Sequence, residues 1–512
     1  DRTLYAYTDA EWEQILRDEL DSLRPVLYRG EGGPGGHGFV CDGYDAAGYY
    51  HFNFGWGGWL NGYYTLSNIS PYNFNSYQGI LIGIKPNDGS TILSDTTWAG
   101  SISVPQKVTV LSGATLTLLP GTVVAFGKRA SLDVNGTLLA TGNITDSIFF
   151  TAIDPSLGWQ GLKINSESPE SNDTTRFEYC SISRSKSSGM KISDRKKMII
   201  SRSCIHDNQS FMFTSNNSAA ITLGGTGSGW GGGLFILNSS IVVTECCFSN
   251  NWAYGYGGGL GVAGQGATPL LIARNVFRGN SSQINGGAIS LIGGSHVDII
   301  NNEIRSNSSG FGGGIGCYSS VFTAQNPVRI EGNYLEANSA QTGGGIGLNS
   351  SDGMPYNNVL RLNSAWEGGG LCVLRYYGAG NVIRFTGNSF LLNTAGSKGS
   401  AYRQYHIFDP NTTVLAPEFH NNIFYSNPCA GCNCVKPICF SGFPVARPRF
   451  SHCYISNGLD DLDTDTPELY LTDTTYFNRI IQQVDARFDT LIPGKLLPTS
   501  PCIDQGTPDT TG

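Results

Sequence analysis

The sequence has little charge and no long apolar run. Only 14% of its 512 residues are Asp, Glu, Lys or Arg, and 40 acidic residues against 32 basic ones give a net charge of −8. A surface that binds nucleic acid needs a basic stripe to neutralise phosphates. The one basic run, Arg195-Lys196-Lys197, is interpreted as a solvated turn, so no nucleic-acid partner is expected. No stretch of 18 apolar residues occurs either, and we expect no membrane span.

The sequence also has no Met at its first position. It begins with DRTLYAYTDAEW, without Met or a signal peptide, and we interpret it as a fragment or processed form whose true N-terminus lies upstream. Its 13 cysteines are scattered, which fits an oxidising compartment, except for a cluster of four: Cys429, Cys432, Cys434 and Cys439. The cluster forms local disulfides or binds a metal. Disulfides are preferred because no His stands at ligand spacing inside it, and we expect neither a metal nor a cofactor.

Glycine and asparagine, by contrast, are abundant and recur in phase. The pattern Asn-x-apolar-x-x-Asn appears as NVFRGN, NEIRSN, NYLEAN, NVLRLN, NSFLLN and NIFYSN, and the closing positions run from Asn208 to Asn457. A second, glycine-rich segment follows five of the closing asparagines, as in NSAWEGGGL. Two landmarks in phase over this many copies indicate a repeat architecture.

The repeat predicts a parallel β-helix. Helical repeats are excluded because no unit carries a ten-residue apolar stripe at helical spacing. Short strands in units of about 28 residues fit coils that each rise by ~4.8 Å. The recurring Asn would stack and hydrogen-bond from coil to coil while adopting the left-handed backbone of the turn. The glycine runs would let the backbone turn sharply or approach its neighbour closely.

Two segments resemble a known scaffold. ATLTLLPGTVVAFGKRASLDVNGTLLATGNITDSIFFTA (114–152) resembles the opening coils of right-handed, pectin-lyase-like β-helix proteins, and LLPTSPCIDQGTPD resembles their closing segment. The resemblance implies a domain over 91–512, with opening coils at about 91–165, Asn/Gly repeat coils at about 175–460 and a closing segment at 461–512. It implies a scaffold and not an activity.

Residues 1–86 have a different pattern. TDAEWEQILRDELDSLRP begins with a capping box formed by Thr8 and Glu11. It predicts an amphipathic helix with this apolar face: Trp12, Ile15, Leu16, Leu20 and Leu23. PVLYRG predicts a strand, and a glycine-rich loop over 30–36 is expected to lead into a hairpin.

The hairpin carries candidate chemistry. If its turn is centred on Asp45, His37 lies opposite Asn53 and the two side chains hydrogen-bond across the strands. A histidine oriented by an asparagine is half of a thiol-protease site, in which the imidazole deprotonates a cysteine. His51 and Cys41 are interpreted as packing residues, since Cys41 stands four residues from His37 along the strand, ~13 Å away.

The same region resembles a family. RPVLYRGEGGPGGHGFVCDGYDAAGYYHFNFGWGGWLNGYYTL is similar to the C-terminal half of the catalytic domain of streptopain-type cysteine peptidases, which have a papain-like fold. The resemblance implies that His37 is the general base and Asn53 its orienting partner. It also implies a cleft wall made of Trp56, Gly57 and Gly58. The family has Trp after this Asn, where this chain has Phe54, and its nucleophilic cysteine and oxyanion-hole donor are expected upstream of the sequence present.

The predicted fold class is therefore mainly β: a right-handed parallel β-helix preceded by a partial α+β papain-like peptidase domain. The predicted function is that of a secreted or cell-surface bacterial cysteine peptidase with a β-helix for binding or display, and this chain alone is expected to be inactive. The expected partners are a protein or peptide substrate at the N-terminal domain and a glycan or surface partner on the β-helix. The alternatives are a non-catalytic adhesin-like protein with a degenerate peptidase remnant and a carbohydrate-active β-helix enzyme. The repeat shows no clustered carboxylates for the last of these.

Overall fold

The computed structural model divides the chain into two compact units, residues 1–88 and 89–512. The structure describes residues 2–33, 35–70, 72–84, 89–165, 174–211, 229–264, 270–293, 297–318, 328–349, 354–375, 384–406, 417–428, 436–441, 448–464, 477–482 and 499–500. Each unit has its own hydrophobic core.

The first unit is an antiparallel sheet with one α-helix. Its strands are Arg2–Thr3 (β1), Val26–Gly32 (β2), Gly35–Tyr44 (β3), Tyr50–Asn53 (β4), Gly62–Tyr64 (β5) and Ser76–Leu81 (β6). A 3₁₀ turn covers Leu4–Ala6, the helix α1 covers Asp9–Asp21, and the strand order is β1-β6-β2-β3-β4-β5.

Helix α1 confirms most of the predicted pattern. The Thr8 hydroxyl accepts a hydrogen bond from the Glu11 amide, and the Glu11 carboxylate accepts one from the Thr8 amide, which completes the capping box. Trp12 is buried on the predicted face. Leu23 is not: it lies beyond the end of the helix, has a φ of 55° and is 91% exposed. The prediction for Leu23 was wrong because the helix ends at Asp21, before the apolar face reaches it.

The predicted glycine-rich loop is mostly strand. β2 continues through Gly32 and β3 begins at Gly35. The glycines serve close packing: a Cβ at Gly30 would lie 2.2 Å from the Phe74 carbonyl oxygen, and one at Gly32 would lie 2.0 Å from that of Tyr72. The prediction of a loop was wrong because these glycines allow a neighbouring backbone to approach closely and do not form a turn.

The second unit is a parallel β-helix, as predicted. Its first sheet contains Ser90–Ile92, Val108–Val110, Leu132–Val134, Leu162–Ile164, Met190–Ser193, Leu234–Leu237, Leu260–Ala263, Ile289–Ile292, Ile315–Tyr318, Ile346–Asn349, Leu371–Arg375, Tyr402–His406, Ile438–Ser441 and Leu462–Thr464. Its second sheet contains Thr96–Trp98, Thr115–Leu118, Thr137–Thr141, Thr175–Glu178, Met198–Ser201, Val242–Thr244, Leu270–Ala273, Val297–Ile300, Val328–Glu331, Met354–Tyr356, Arg384–Thr386, Glu418–His420, Arg449–Ser451 and Phe477–Asn478.

Two further sheets complete the coils. The third contains Ser101–Val104, Val123–Phe126, Ile148–Ala152, Cys180–Ser183, Cys204–His206, Cys247–Ser249, Val276–Arg278, Glu303–Arg305, Tyr334–Glu336, Val359–Arg361, Ser389–Leu391, Ile423–Tyr425 and Tyr454–Ile455. The fourth, shorter sheet contains Gln209–Ser210, Trp252–Ala253, Ser281–Ser282, Ser308–Phe311, Ser339–Thr342, Ser364–Glu367 and Thr394–Lys398. A second 3₁₀ turn covers Gly458–Asp461.

The stacked asparagines form two ladders, as the repeat predicts. One ladder joins Asn208, Asn251, Asn280, Asn307, Asn338, Asn363, Asn393 and Asn427. The other joins Asn275, Asn302, Asn333, Asn358, Asn388 and Asn422. Asn457 departs from the pattern, because its side-chain amide donates to Asp461 instead.

The predicted left-handed position was wrong by one residue. The stacked asparagines are absent from the positive-φ residues, whereas the residue before each one is left-handed, as Ala337 before Asn338 and Leu362 before Asn363 show, with φ of 53° and 54°. The left-handed turn at the preceding residue leaves the Asn free to direct both its amide N–H and its side chain at the next coil.

The glycine runs act as predicted. In the run at 343–345, Gly343 takes a φ of 70°, and a Cβ at Gly344 would lie 2.4 Å from the Gly369 carbonyl oxygen of the next coil. The first glycine turns the chain and the second permits close approach.

The interpretation of Arg195 changes, and the interpretation of the clustered cysteines lies mostly outside the described residues. Arg195 is not in a solvated turn: it is 2% exposed, and its guanidinium donates to the Gly136 carbonyl and the Thr175 hydroxyl of other coils. Of the four clustered cysteines, three lie outside the described residues. Cys439 is buried in the first sheet, where its sulfur accepts from Arg403.

Candidate active site

His37 lies in the middle of the N-terminal sheet, where β3 is paired with β2 and His37 faces Gly30. Its half-buried ring packs against three aromatic side chains. The ring centroids lie 4.6 Å from Trp56, 5.6 Å from Phe74 and 5.9 Å from Phe39. These ring contacts hold the imidazole in one plane.

A main-chain carbonyl orients the imidazole. Nε2 of His37 lies 2.9 Å from the carbonyl oxygen of Phe54. A carbonyl can only accept, so in the neutral ring Nε2 carries the proton and Nδ1 is the basic nitrogen. Among the residues that the structure describes, none hydrogen-bonds to Nδ1.

The segment that presents this carbonyl is itself held in place. The Phe54 ring is 1% exposed, and its amide N–H donates to Oδ1 of Asn61 at 3.1 Å. Oδ1 of Asn53 accepts from the amide of Gly55 at 3.0 Å. Both side chains therefore fix the backbone on either side of the carbonyl that faces His37.

The predicted register of the hairpin was wrong. Asn53 lies opposite Val40 and not opposite His37, and no hydrogen bond joins Asn53 to His37 in the described part of the chain. Two local features move the register. The Asp45 carboxylate accepts from the amides of Ala47 and Tyr49, which lengthens the turn, and a β-bulge follows Cys41. Asn53 is exposed and acts on the backbone beside His37.

Of the three residues expected to form a wall, Trp56 contacts His37. The Trp56 ring is stacked on the imidazole with an interplanar angle of 22°. Gly57 and Gly58 are exposed, with φ of 65° and 89°, and shape the turn that follows Trp56. Their left-handed backbone favours glycine at both positions.

A groove of about 470 Å³ opens next to His37. Part of the groove is lined by glycines, which have no side chain to fill it. The other residues that line it beside His37 are polar or aromatic: Arg29, Glu31 and Tyr77. The groove can accept an extended chain with both charged and aromatic contacts.

The other candidate residues of this unit have structural surroundings. Cys41 is fully buried, and burial raises the pKa of its thiol to about 12, so it is not a thiolate at neutral pH. His51 does more than pack: its Nδ1 lies 2.5 Å from the Asp42 carboxylate, and its ring contacts Tyr63. Within the described residues, no group of three or more His, Cys, Asp or Glu is placed to hold a metal.

Sequence reasoning missed the Phe54 carbonyl, the Asn61 amide and the ring of Phe74. A carbonyl leaves no trace in the residue type, and only the fold brings Asn61 to the Phe54 amide and Phe74 to His37. The one feature of the sequence that could have drawn attention to this position is Phe54 itself, which stands where the family has Trp.

Comparison with known proteins finds a family to which the first unit is similar. Residues 2–64 match a family model described as the Peptidase C10 family. The chain is 41% identical over 98 residues to the thiol protease/hemagglutinin PrtT of Porphyromonas gingivalis, which covers 17% of this chain and 11% of that protein. It is 39% identical over 89 residues to streptopain of Streptococcus pyogenes, which covers 16% of this chain and 22% of that protein. The chain thus spans a small part of each bacterial relative.

The β-helix has remote structural neighbours. A mutant of the periplasmic alginate epimerase AlgG aligns with 71% of this chain and 78% of its own, at 12% identity and a TM-score of 0.36. Of the helices described, none is long and apolar enough to cross a membrane.

Proposed function

Because the N-terminal unit is a Peptidase C10, streptopain-like domain, we propose that the complete protein is a secreted cysteine peptidase in which His37 is the general base. The observation that carries the proposal is the hydrogen bond between Nε2 of His37 and the Phe54 carbonyl. It directs the basic Nδ1 away from the protein core, in the tautomer that thiol chemistry needs.

The residues of this chain perform the proton transfers. Nδ1 of His37 takes the proton of a cysteine thiol supplied by the rest of the protein and later returns it to the leaving amine. The Phe54 carbonyl stabilises the imidazolium formed between these steps, and the Trp56 ring shields one face of it from water. Asn53 and Asn61 are positioning residues that hold this carbonyl. The substrate backbone lies in the groove beside Arg29 and Tyr77.

The test uses the protein with its upstream residues, and hydrolysis of a casein panel together with labelling by a thiol-directed epoxide. His37→Ala is expected to lower kcat/KM by a factor on the order of 10⁴. Asn53→Ala is expected to lower it by about 10–100-fold through displacement of the carbonyl. His51→Ala is the matched control and retains activity, since His51 is bound to Asp42 and not to the site. An active His37→Ala variant would overturn the proposal.

For the β-helix we propose carbohydrate binding on the fourth sheet. Trp366 is 64% exposed and Tyr254 is 38% exposed, on a surface otherwise rich in Ser, Thr and Gln. Exposed aromatic rings beside amides and hydroxyls provide both stacking and hydrogen-bonding partners for sugars. A glycan array compares the chain with Trp366→Ala. Loss of binding with retained far-UV circular dichroism supports the proposal, and an array without any bound glycan counts against it.

A further inference from the structure

Two cysteines face each other on the outside of the third sheet. Cys204 and Cys247 are direct partners in neighbouring parallel strands. The next residues along these strands, Ile205 and Phe248, are fully buried, so the two cysteine side chains point outward. Cys204 is exposed and Cys247 half-buried.

The spacing of this pair permits a covalent link. Partners in neighbouring parallel strands lie ~4.8 Å apart, within the ~4.4–6.8 Å that a disulfide spans between Cα atoms. The two thiols are close enough for a hydrogen bond between them.

The surroundings activate one member of the pair. The pKa of Cys247 is lowered to about 6, first by the hydrogen bond from Cys204 and then by Ser249, His206 and Arg278. His206 is itself fixed, with Nε2 3.1 Å from the Ser181 hydroxyl and Nδ1 2.7 Å from the Asp207 carboxylate. Arg278 is paired with Glu303 of the following coil.

The remaining described cysteines of the β-helix differ in kind. Burial raises the pKa of the thiols of Cys246, Cys317 and Cys453 to about 12. These thiols are neither ionised nor accessible at neutral pH. Cys204 and Cys247 therefore differ from these buried cysteines in three ways: their side chains point outward, their thiols lie close together, and the pKa of Cys247 is lowered.

We propose that Cys204 and Cys247 are a thiol–disulfide couple that reacts with small-molecule disulfides and closes a covalent bond between two successive coils. This site is independent of the peptidase proposal, because it involves only the β-helix.

The reaction balances in two exchange steps. The Cys247 thiolate attacks one sulfur of a small disulfide RSSR, forms a mixed disulfide and releases RS⁻, which takes a proton from solvent. Cys204 then loses its proton to solvent and attacks the Cys247 sulfur of the mixed disulfide, releasing the second RS⁻. Overall, two protein thiols are oxidised to one disulfide, and one RSSR is reduced to two RSH.

The experiment treats the intact chain, first reduced and freed of reductant, with oxidised glutathione at pH 7.5. Peptide mapping by mass spectrometry is expected to find a Cys204–Cys247 cross-link in the wild-type chain. Cys204→Ser is expected to stop at a glutathione adduct on Cys247, because no second thiol can resolve it. Cys247→Ser is expected to leave Cys204 at least tenfold slower to react, and far-UV circular dichroism checks the fold of both variants.

Two results would overturn the proposal. One is the recovery of both residues as thiols after oxidation of the wild-type chain. The other is a stable glutathione adduct on each residue without a cross-link, which would show two independent surface thiols.

Discussion

At the scale of single residues, the candidate site depends on one hydrogen-bond acceptor. His37 is oriented by the carbonyl of Phe54, and the side chain expected in that role, Asn53, acts one step away by holding the Gly55 amide. The identity of residue 54 thus matters less for its ring than for where its backbone lies. This explains how Phe can stand where the family has Trp.

The tautomer of His37 is a direct prediction of this geometry. The neutral ring is expected to carry its proton on Nε2, because the Phe54 carbonyl can only accept. Long-range ¹⁵N–¹H NMR on the labelled chain distinguishes the two tautomers. Asn61→Ala is expected to give a mixture of tautomers, since it releases the Phe54 amide. A ring protonated on Nδ1 in the unaltered chain would contradict the proposed orientation.

A buried carboxylate gives a second prediction. Glu19 is 8% exposed, accepts two hydrogen bonds from Arg24 at 2.8 Å each, and accepts a third from the Gly83 amide. Glu19→Gln removes the charge from these bonds and leaves the Arg24 guanidinium without its counter-ion. The free energy of unfolding is expected to fall by about 2–4 kcal/mol.

Urea denaturation followed by tryptophan fluorescence measures this change. Glu13→Gln on the exposed side of the same helix is the control and is expected to change stability by less than about 0.5 kcal/mol. Equal effects of the two substitutions would show that the Glu19 contacts do not stabilise the unit.

At the scale of the coil, the asparagine ladders are the main polar element of the core. The side-chain amide of Asn338 donates to Asn363 and to the Ile304 carbonyl, while its Oδ1 accepts from both amides of Asn307. Every polar atom of this buried side chain is paired. The ladder therefore fixes the register between coils, and its hydrogen bonds offset the desolvation of the buried amides.

Removing one asparagine from a ladder is expected to lower the free energy of unfolding. Asn338→Ala leaves the main-chain amide of Asn307 and the Ile304 carbonyl without this partner, and the side-chain amide of Asn307 keeps the Phe277 and Arg305 carbonyls. We expect a loss of about 2–4 kcal/mol in the free energy of unfolding, from unpaired polar groups together with the cavity. Amide hydrogen exchange across the repeat locates the effect in the neighbouring coils. Ser339→Ala, at the exposed next residue, should leave exchange rates unchanged.

The left-handed residue before each stacked asparagine predicts a stabilising substitution. Ala337 is exposed and has a φ of 53°, a conformation that costs a residue with a Cβ about 1 kcal/mol. Another coil places glycine at the equivalent position, Gly279 before Asn280. Ala337→Gly is thus expected to raise the free energy of unfolding by up to about 1 kcal/mol. The opposite sign is expected for Ala340→Gly within the strand Ser339–Thr342, and thermal denaturation of both variants tests the contrast.

At the scale of the whole molecule, a segment similar to the Peptidase C10 family and a parallel β-helix share one chain. The described residues supply a base, its orienting carbonyl and a groove, and they supply no thiol hydrogen-bonded to Nδ1 of His37. The one cysteine in the N-terminal unit, Cys41, is buried in the core with a raised pKa.

The chain alone is accordingly expected to hydrolyse no casein and to leave Cys41 unlabelled by a thiol-directed epoxide. Its labelling in 6 M guanidinium chloride is the control, because unfolding exposes the thiol. Hydrolysis by the chain alone that survives Cys41→Ser would require a nucleophile other than a thiol of the N-terminal unit.

The sequence by itself determined the features that repeat or act locally. The period of the Asn and Gly landmarks predicted the β-helix, because every coil meets the same neighbour above and below and so selects the same residues. The capping box of α1 was readable because its two residues are three positions apart. His37, Asn53 and Trp56 were found because their order and spacing match a family.

Only the tertiary structure decided how these residues meet. The longer Asp45 turn moved Asn53 away from His37, the bulge after Cys41 reversed only one residue of that shift, and the Phe54 carbonyl took the place predicted for the side chain. Arg195 was drawn into the core, and Cys204 was set against Cys247, by coils distant in sequence. Register and long-range contact depend on the sum of many small packing terms across the fold, and no local pattern of residue types records that sum.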